Sequence, residues 1–188
     1  MNVKIIAGIA FAALLAGCGG ANDHPEELKG TWSTGCVGNI VDTYIFDSGL
    51  TLMSESYSIP DCTKKRTTVQ FKLNALYDPE LKTTSSGIEA LKAELTLAAG
   101  ITFTPHDSFS LQSYKNTCPQ QSWQIDQETS IMACGHVSAR LLIASFEPNL
   151  PTLFYIDGNN LYASKNTSPK GEDGFPLDVD YGKYYMKQ

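Results

Sequence analysis

The chain has 188 residues, with 14 Lys and Arg against 20 Asp and Glu, for a net charge of −6 at pH 7. That balance argues against a nucleic-acid partner and against electrostatic docking on anionic lipid. The length fits one domain with a core of its own. At the front, Lys4 is the only charge before an apolar run from Ile5 to Leu15, broken by Gly8. Such a run has the length of a signal-peptide h-region and is too short to span a bilayer as a helix.

The run ends in Leu15-Ala16-Gly17-Cys18. This resembles the lipobox of bacterial lipoproteins, Leu-(Ala/Ser)-(Gly/Ala)-Cys, at every position. The resemblance implies diacylglyceryl transfer to the Cys18 thiol, cleavage before it, and acylation of the new amino terminus. The membrane is then a partner through Cys18. Anchoring of this kind is stable because it combines more than one acyl chain. Gly19, rather than Asp, follows the cysteine, which in Gram-negative lineages implies sorting to the outer membrane. Three segments follow: a signal peptide over 1–17, a lipidated tether over 18–27 containing His24, and a single domain over 28–188. Removing 1–17 leaves 171 residues and takes away only Lys4 among the charges, so the mature chain carries net −7.

Beyond the tether, "PEELK" offers one helical turn before Gly30-Thr31-Trp32. "YIFDSGLTLM" reads as a hairpin turning at Asp47-Ser48-Gly49, with Gly49 available for a positive φ. In "TVQFKLNALY", Val69, Phe71, Leu73, Ala75 and Tyr77 share one face, the period of a half-buried strand. "SSGIEALKAELTLAAGITF" offers a capping box at Ser86 and Glu89, but seven alternating apolar positions from Leu91 to Phe103 outweigh it. The segment is expected to be a long strand with Gly100 as a bend or bulge. Ser108 to Tyr114 and Arg140 to Pro148 are read as two further strands. Asp157-Gly158-Asn159-Asn160 marks another hairpin between apolar runs. The fold class is therefore all-β: an antiparallel up-and-down barrel of about eight to ten strands, or else a β-sandwich, since both remove exposed edges.

Gly30-Thr31-Trp32 at the start of the first strand resembles the Gly-x-Trp opening of the lipocalin-like (calycin) barrels. The resemblance implies that Trp32 closes one end of the barrel against a basic residue from a late strand. Arg140 is the candidate partner. It also implies a disulfide tying the barrel. The second motif of that family, Thr-Asp-Tyr, is absent. The polar "SKNTSPKGEDGFP" and the aromatic "DYGKYYMK" are similar to the C-terminal end of small lipocalin-like bacterial lipoproteins.

Four cysteines remain in the mature chain: Cys36, Cys62, Cys118 and Cys134. An even number in an exported protein suggests two disulfides. Three connectivities are open. Cys36–Cys62 with Cys118–Cys134 is preferred, because each pair is local. A zinc site is disfavoured, since no Cys-x-x-Cys pair occurs and His136 is a poor complement. No metal and no cofactor are expected.

Nothing in the sequence builds a catalytic motif. His24, His106 and His136 sit in no nucleophile elbow or metalloprotease pattern, and His106-Asp107 reads as a turn. The expectation is no enzyme. Glu172, Asp173, Asp178 and Asp180 do not match a calcium loop. Asn166-Thr167-Ser168 is a glycosylation sequon that carries no information in a bacterial lipoprotein. Two functions remain. One is a barrel binding a small apolar or amphipathic ligand, lined by Trp32, Phe71, Leu73, Leu95, Phe103 and Leu111. The other is an envelope interaction protein with a filled barrel, using Tyr162, Phe175, Tyr181, Tyr184 and Tyr185 as its surface.

Overall fold

The computed structural model describes residues 23–146, 148–165 and 167–188. The expected signal peptide, Cys18, the first half of the expected tether and Asn166 of the sequon lie outside the described residues. Among the described residues there are nine strands and two helices: β1 Gly30–Ser33, β2 Ile40–Phe46, β3 Leu50–Tyr57, β4 Lys65–Thr83, β5 Glu89–Pro105, α1 Ser108–Thr117, β6 Thr129–Ser130, α2 Val137–Ala144, β7 Leu150–Asp157, β8 Asn160–Ala163 and β9 Tyr184–Lys187. Every pairing is antiparallel. β1 to β5 follow one another, β5 pairs with β7, β7 with β8 and β8 with β9. β9 then returns to β1, with Trp32 opposite Lys187. Eight strands thus form a closed up-and-down barrel, lipocalin-like in architecture, and β6 adds a short rung to the far end of β5.

The alternation seen in the sequence sets the walls. Leu73, Ala75, Ala93 and Leu95 point inward from the β4–β5 hairpin and join Tyr44, Phe46, Phe154, Leu161 and Tyr185 in one core. At Gly100 the ladder slips: Lys72 pairs with Gly100 and Leu73 with Leu97, so Ala98 and Ala99 loop out and are exposed. Gly100 takes φ 93°, and a Cβ there would lie 2.6 Å from the Met132 side chain. This is the expected bulge, at a position where only glycine fits. Ala99 is accordingly the one member of the seven-residue alternation that leaves the core. Gly158 takes φ 58° in the β7–β8 hairpin. Gly49 does not adopt a positive φ. The β2–β3 turn is held instead by the Asp47 carboxylate, which accepts from the Gly49 amide at 3.1 Å.

Two expected strands are helices. Ser108 to Tyr114 lies in α1, because Asp107 caps it: the carboxylate accepts from the Ser110 amide at 2.7 Å, and the Ser110 hydroxyl accepts from the Asp107 amide in return. A serine fills the place that glutamate or glutamine takes in the familiar box, so the signal is easily missed. Arg140 to Ala144 lies in α2, with His136 as its N-cap, and Phe146 turns back into the barrel core. A short apolar run has no periodicity of its own to separate helix from strand. The two helices and β6 form an insertion between β5 and β7. It buries Ile101, Trp123, Ile131 and Ala139 around the Cys118–Cys134 disulfide. The second disulfide, Cys36–Cys62, joins the β1–β2 and β3–β4 loops at the same end of the barrel. Both pairs are the local ones.

Residues after β8 wrap the outside. Phe175 and Val179 cover Ala90 and Leu153. Lys82 pairs with Asp173 at 2.6 Å, and Asp178 accepts from the Ser85, Ser86 and Tyr181 hydroxyls.

Candidate functional site

The two ends of the barrel are built differently. At one end the chain before β1 forms a plug. Leu28 closes a turn with Pro25, and the Trp32 indole N–H donates to the Leu28 carbonyl at 2.7 Å. Trp32 is 1% exposed. The cation over its ring is Lys187 of β9, with Nζ 5.0 Å from the ring. Arg140 does not fill that role: it rides on α2, which packs on the insertion core. The late-strand partner exists, but it is the lysine that β9 carries directly opposite Trp32. His24, placed in the tether by sequence, is 3% exposed. Its Nδ1 pairs with the Tyr77 hydroxyl at 2.7 Å, and its ring meets Phe46 and Tyr77 edge-on at 5.4 and 5.6 Å. Nε2 is buried without a hydrogen bond. Burial holds the imidazole below its ordinary pKa and keeps it neutral.

The interior above the plug is filled. Tyr44 stacks on Phe46 at 5.8 Å, and Phe154 meets both rings edge-on at 5.7 and 5.5 Å. Towards the other end the packing stops, and a cavity of about 330 Å³ opens. Tyr44 and Tyr185, edge to face at 4.8 Å, form its floor. Leu52, Phe71 and Ala163 form its apolar wall. Its rim carries Asp42 and Lys183, joined as an ion pair, and Lys165 and Asp180, joined at 3.1 Å. Lys183 Nζ also stands 5.3 Å from the Tyr185 ring. Burial pushes both phenols well above their ordinary pKa, so they remain protonated hydrogen-bonding groups.

Of the six expected lining residues, Phe71 alone faces this cavity. Leu73 and Leu95 are filled core, and Trp32 seals the opposite end. Leu111 belongs to the insertion and Phe103, near the end of β5, packs against it; there Phe103 with Tyr114, Trp123 and Ile131 borders a second, apolar void of about 80 Å³. The residues that do build the mouth had a readable signal. In "IVDTYIF", Asp42 shares a face with Tyr44 and Phe46, and in "KYY" Lys183 shares one with Tyr185. A charge on an inward face of a barrel strand marks either an end or a site.

The tyrosine patch also divides. Tyr185 points inward and Phe175 is buried beneath Lys92, whose Nζ is 5.4 Å from its ring. Tyr162 meets Tyr155 and Tyr181 at 5.9 Å and Tyr184 at 6.3 Å, making an outer aromatic cluster.

The polar groups outside the mouth merit a chemical test. Among the described residues, no group of three or more His, Cys, Asp or Glu is placed to hold a metal ion. Asp126, His106 and Thr68 do line up as acid, imidazole and hydroxyl, at 2.5 and 2.9 Å. Thr68 is buried beneath the imidazole, however, and neither cavity reaches it. The arrangement ties the loop before β6 to β4.

The sequence matches no protein-family model, and no curated protein is similar to it. The mouth cavity therefore carries the functional argument by its own chemistry.

Proposed function

We propose that the chain is a lipid-anchored protein of the bacterial cell envelope, held at the outer membrane through Cys18, that binds a small amphipathic ligand at the mouth of its barrel without chemical transformation. The single observation behind the binding reading is the cavity of about 330 Å³. It lies at the small end of the range of ligand sites, and it joins an aromatic floor to a charged rim. The lipobox supports the anchor. From Cys18 to the buried His24 is six residues, at most about 20 Å of extended chain, so the plugged end would stand next to the bilayer with the mouth turned away.

Native mass spectrometry of the lipidated protein, extracted from membranes in mild detergent, tests this reading. The expected result is a bound mass that leaves on denaturation and is missing from a Ser54→Phe variant, whose ring fills the mouth. A bare lipidated mass in both proteins would refute it. The outer cluster of Tyr155, Tyr162, Tyr181 and Tyr184 favours a second reading, an envelope protein partner bound on the barrel wall. Crosslinking from Tyr184 in intact cells would then trap one defined partner.

A further inference from the structure

Resting on that binding reading, we infer that the ligand is an organic cation: an ammonium group on a small apolar body, with Asp42 as its counter-ion and the Tyr185 ring beneath it. The site already holds such a group in cis. The Lys183 ammonium sits on the Asp42 carboxylate and over the Tyr185 face.

The asymmetry of burial says which partner belongs to the site. The side chains of Asp42 and Asp180 are 17% and 15% exposed, whereas those of Lys183 and Lys165 are 42% and 60% exposed. Both acids are built into the cavity, and both bases reach over it from solvent. A carboxylate mostly withdrawn from water at the rim favours a cation beside it, because an unpaired charge there is costly. A lysine on a long flexible stem is a poor permanent partner: holding it forfeits side-chain entropy, and water receives its ammonium well. A ligand ammonium on a compact apolar body satisfies the same carboxylate. It also fills the space against Phe71 and Leu52 that lysine leaves open, and it gains the tyrosine face. Lys183 then swings to solvent. The lysine is thus a tethered competitor rather than a binding residue, and this fixes the sign of its variant.

The test titrates three probes with one body and different charge: benzylammonium, benzyl alcohol and benzoate. Each is titrated by calorimetry into the full lipidated chain in detergent, with empty micelles as the blank. Benzylammonium is expected to bind and benzoate not to bind. Asp42→Asn should weaken benzylammonium by about tenfold or more, the loss of one charged hydrogen bond. Lys183→Ala should strengthen it by a similar factor. Near-ultraviolet circular dichroism checks that both variants keep the native tyrosine packing. Weaker or unchanged binding to Lys183→Ala overturns the competitor role and with it the assignment. Binding of benzyl alcohol or benzoate without benzylammonium overturns the cation while leaving an amphiphile site standing. Binding of none of the three overturns both.

Discussion

His24 gives the sharpest test of how the barrel is closed. The imidazole is buried between Phe46 and Tyr77 with one nitrogen unpartnered, and its pKa is lowered, first by desolvation. The folded state therefore binds the proton less readily than the unfolded chain, whose histidine titrates near 6.5. Between those two values the unfolded state holds more protons, so stability rises with pH; below the folded value the full penalty is present. Replacing His24 with Phe keeps an aromatic plug and removes the titration. It also removes the orphaned nitrogen, a relief of about 1–3 kcal/mol, and unpairs the Tyr77 hydroxyl at a similar cost. At pH 7.5 the variant should thus match the parent within about 1 kcal/mol. On acidification the two should diverge, the parent losing more, with a slope contributed by this one group of at most about 1.4 kcal/mol per pH unit. Urea unfolding of the chain from Gly19, exported without its lipid, would be followed by tryptophan fluorescence from pH 7.5 to 5. Parallel curves for parent and variant would refute the placement of a neutral, buried His24.

Other outcomes follow from the same geometry. Lys187→Ala should cost roughly 0.5–1 kcal/mol through loss of the cation over Trp32, whereas Arg140→Ala should leave the urea midpoint unchanged; the reverse order would restore Arg140 as the closing residue. Converting Cys118 and Cys134 together to serine should cost about 3 kcal/mol from the loop-closure relation for 16 residues, read as a lower melting temperature that reducing agent no longer shifts further through this bridge. Gly100→Val should cost more than about 2 kcal/mol, since φ 93° strains a branched residue and Met132 blocks its side chain. Adding Met132→Ala should recover only the steric part of that loss in thermal melts.

The barrel was legible in the sequence because its longest strands alternate cleanly. Val69 to Tyr77 and Leu91 to Leu97 each present one apolar face, and a glycine marks the slip between registers. The insertion was not, because α1 opens on polar and apolar residues that alternate like a strand, α2 is a short apolar run, and they are capped by Asp107 with Ser110 and by His136 rather than by the commoner pairs. Trp32 was found, but its partner was not: whether Arg140 or Lys187 reaches it depends on which strand closes the ring, and that is a property of topology. The site was misread for a similar reason. Phe71, Leu73 and Leu95 look alike in sequence, and only depth along the barrel separates a wall of the mouth from filled core. Asp42 and Lys183 are 141 positions apart, and nothing local announces their pairing.

The seam between β1 and β9 also orders events in time. Most earlier rungs join strands that follow one another along the chain, so β1 to β5 can assemble hairpin by hairpin as the polypeptide emerges, and β7 joins β5 once the α1–β6–α2 insertion has been made. The last rung cannot: Trp32 and Lys187 are 155 positions apart, and they meet only after the intervening strands have paired and brought the two edges of the sheet together. Until Tyr184–Lys187 arrives, β1 and β8 present open edges that invite pairing with other chains. The ring is therefore completed only by the final strand, and the interval before it docks is the period in which a newly made molecule is most exposed to misassembly.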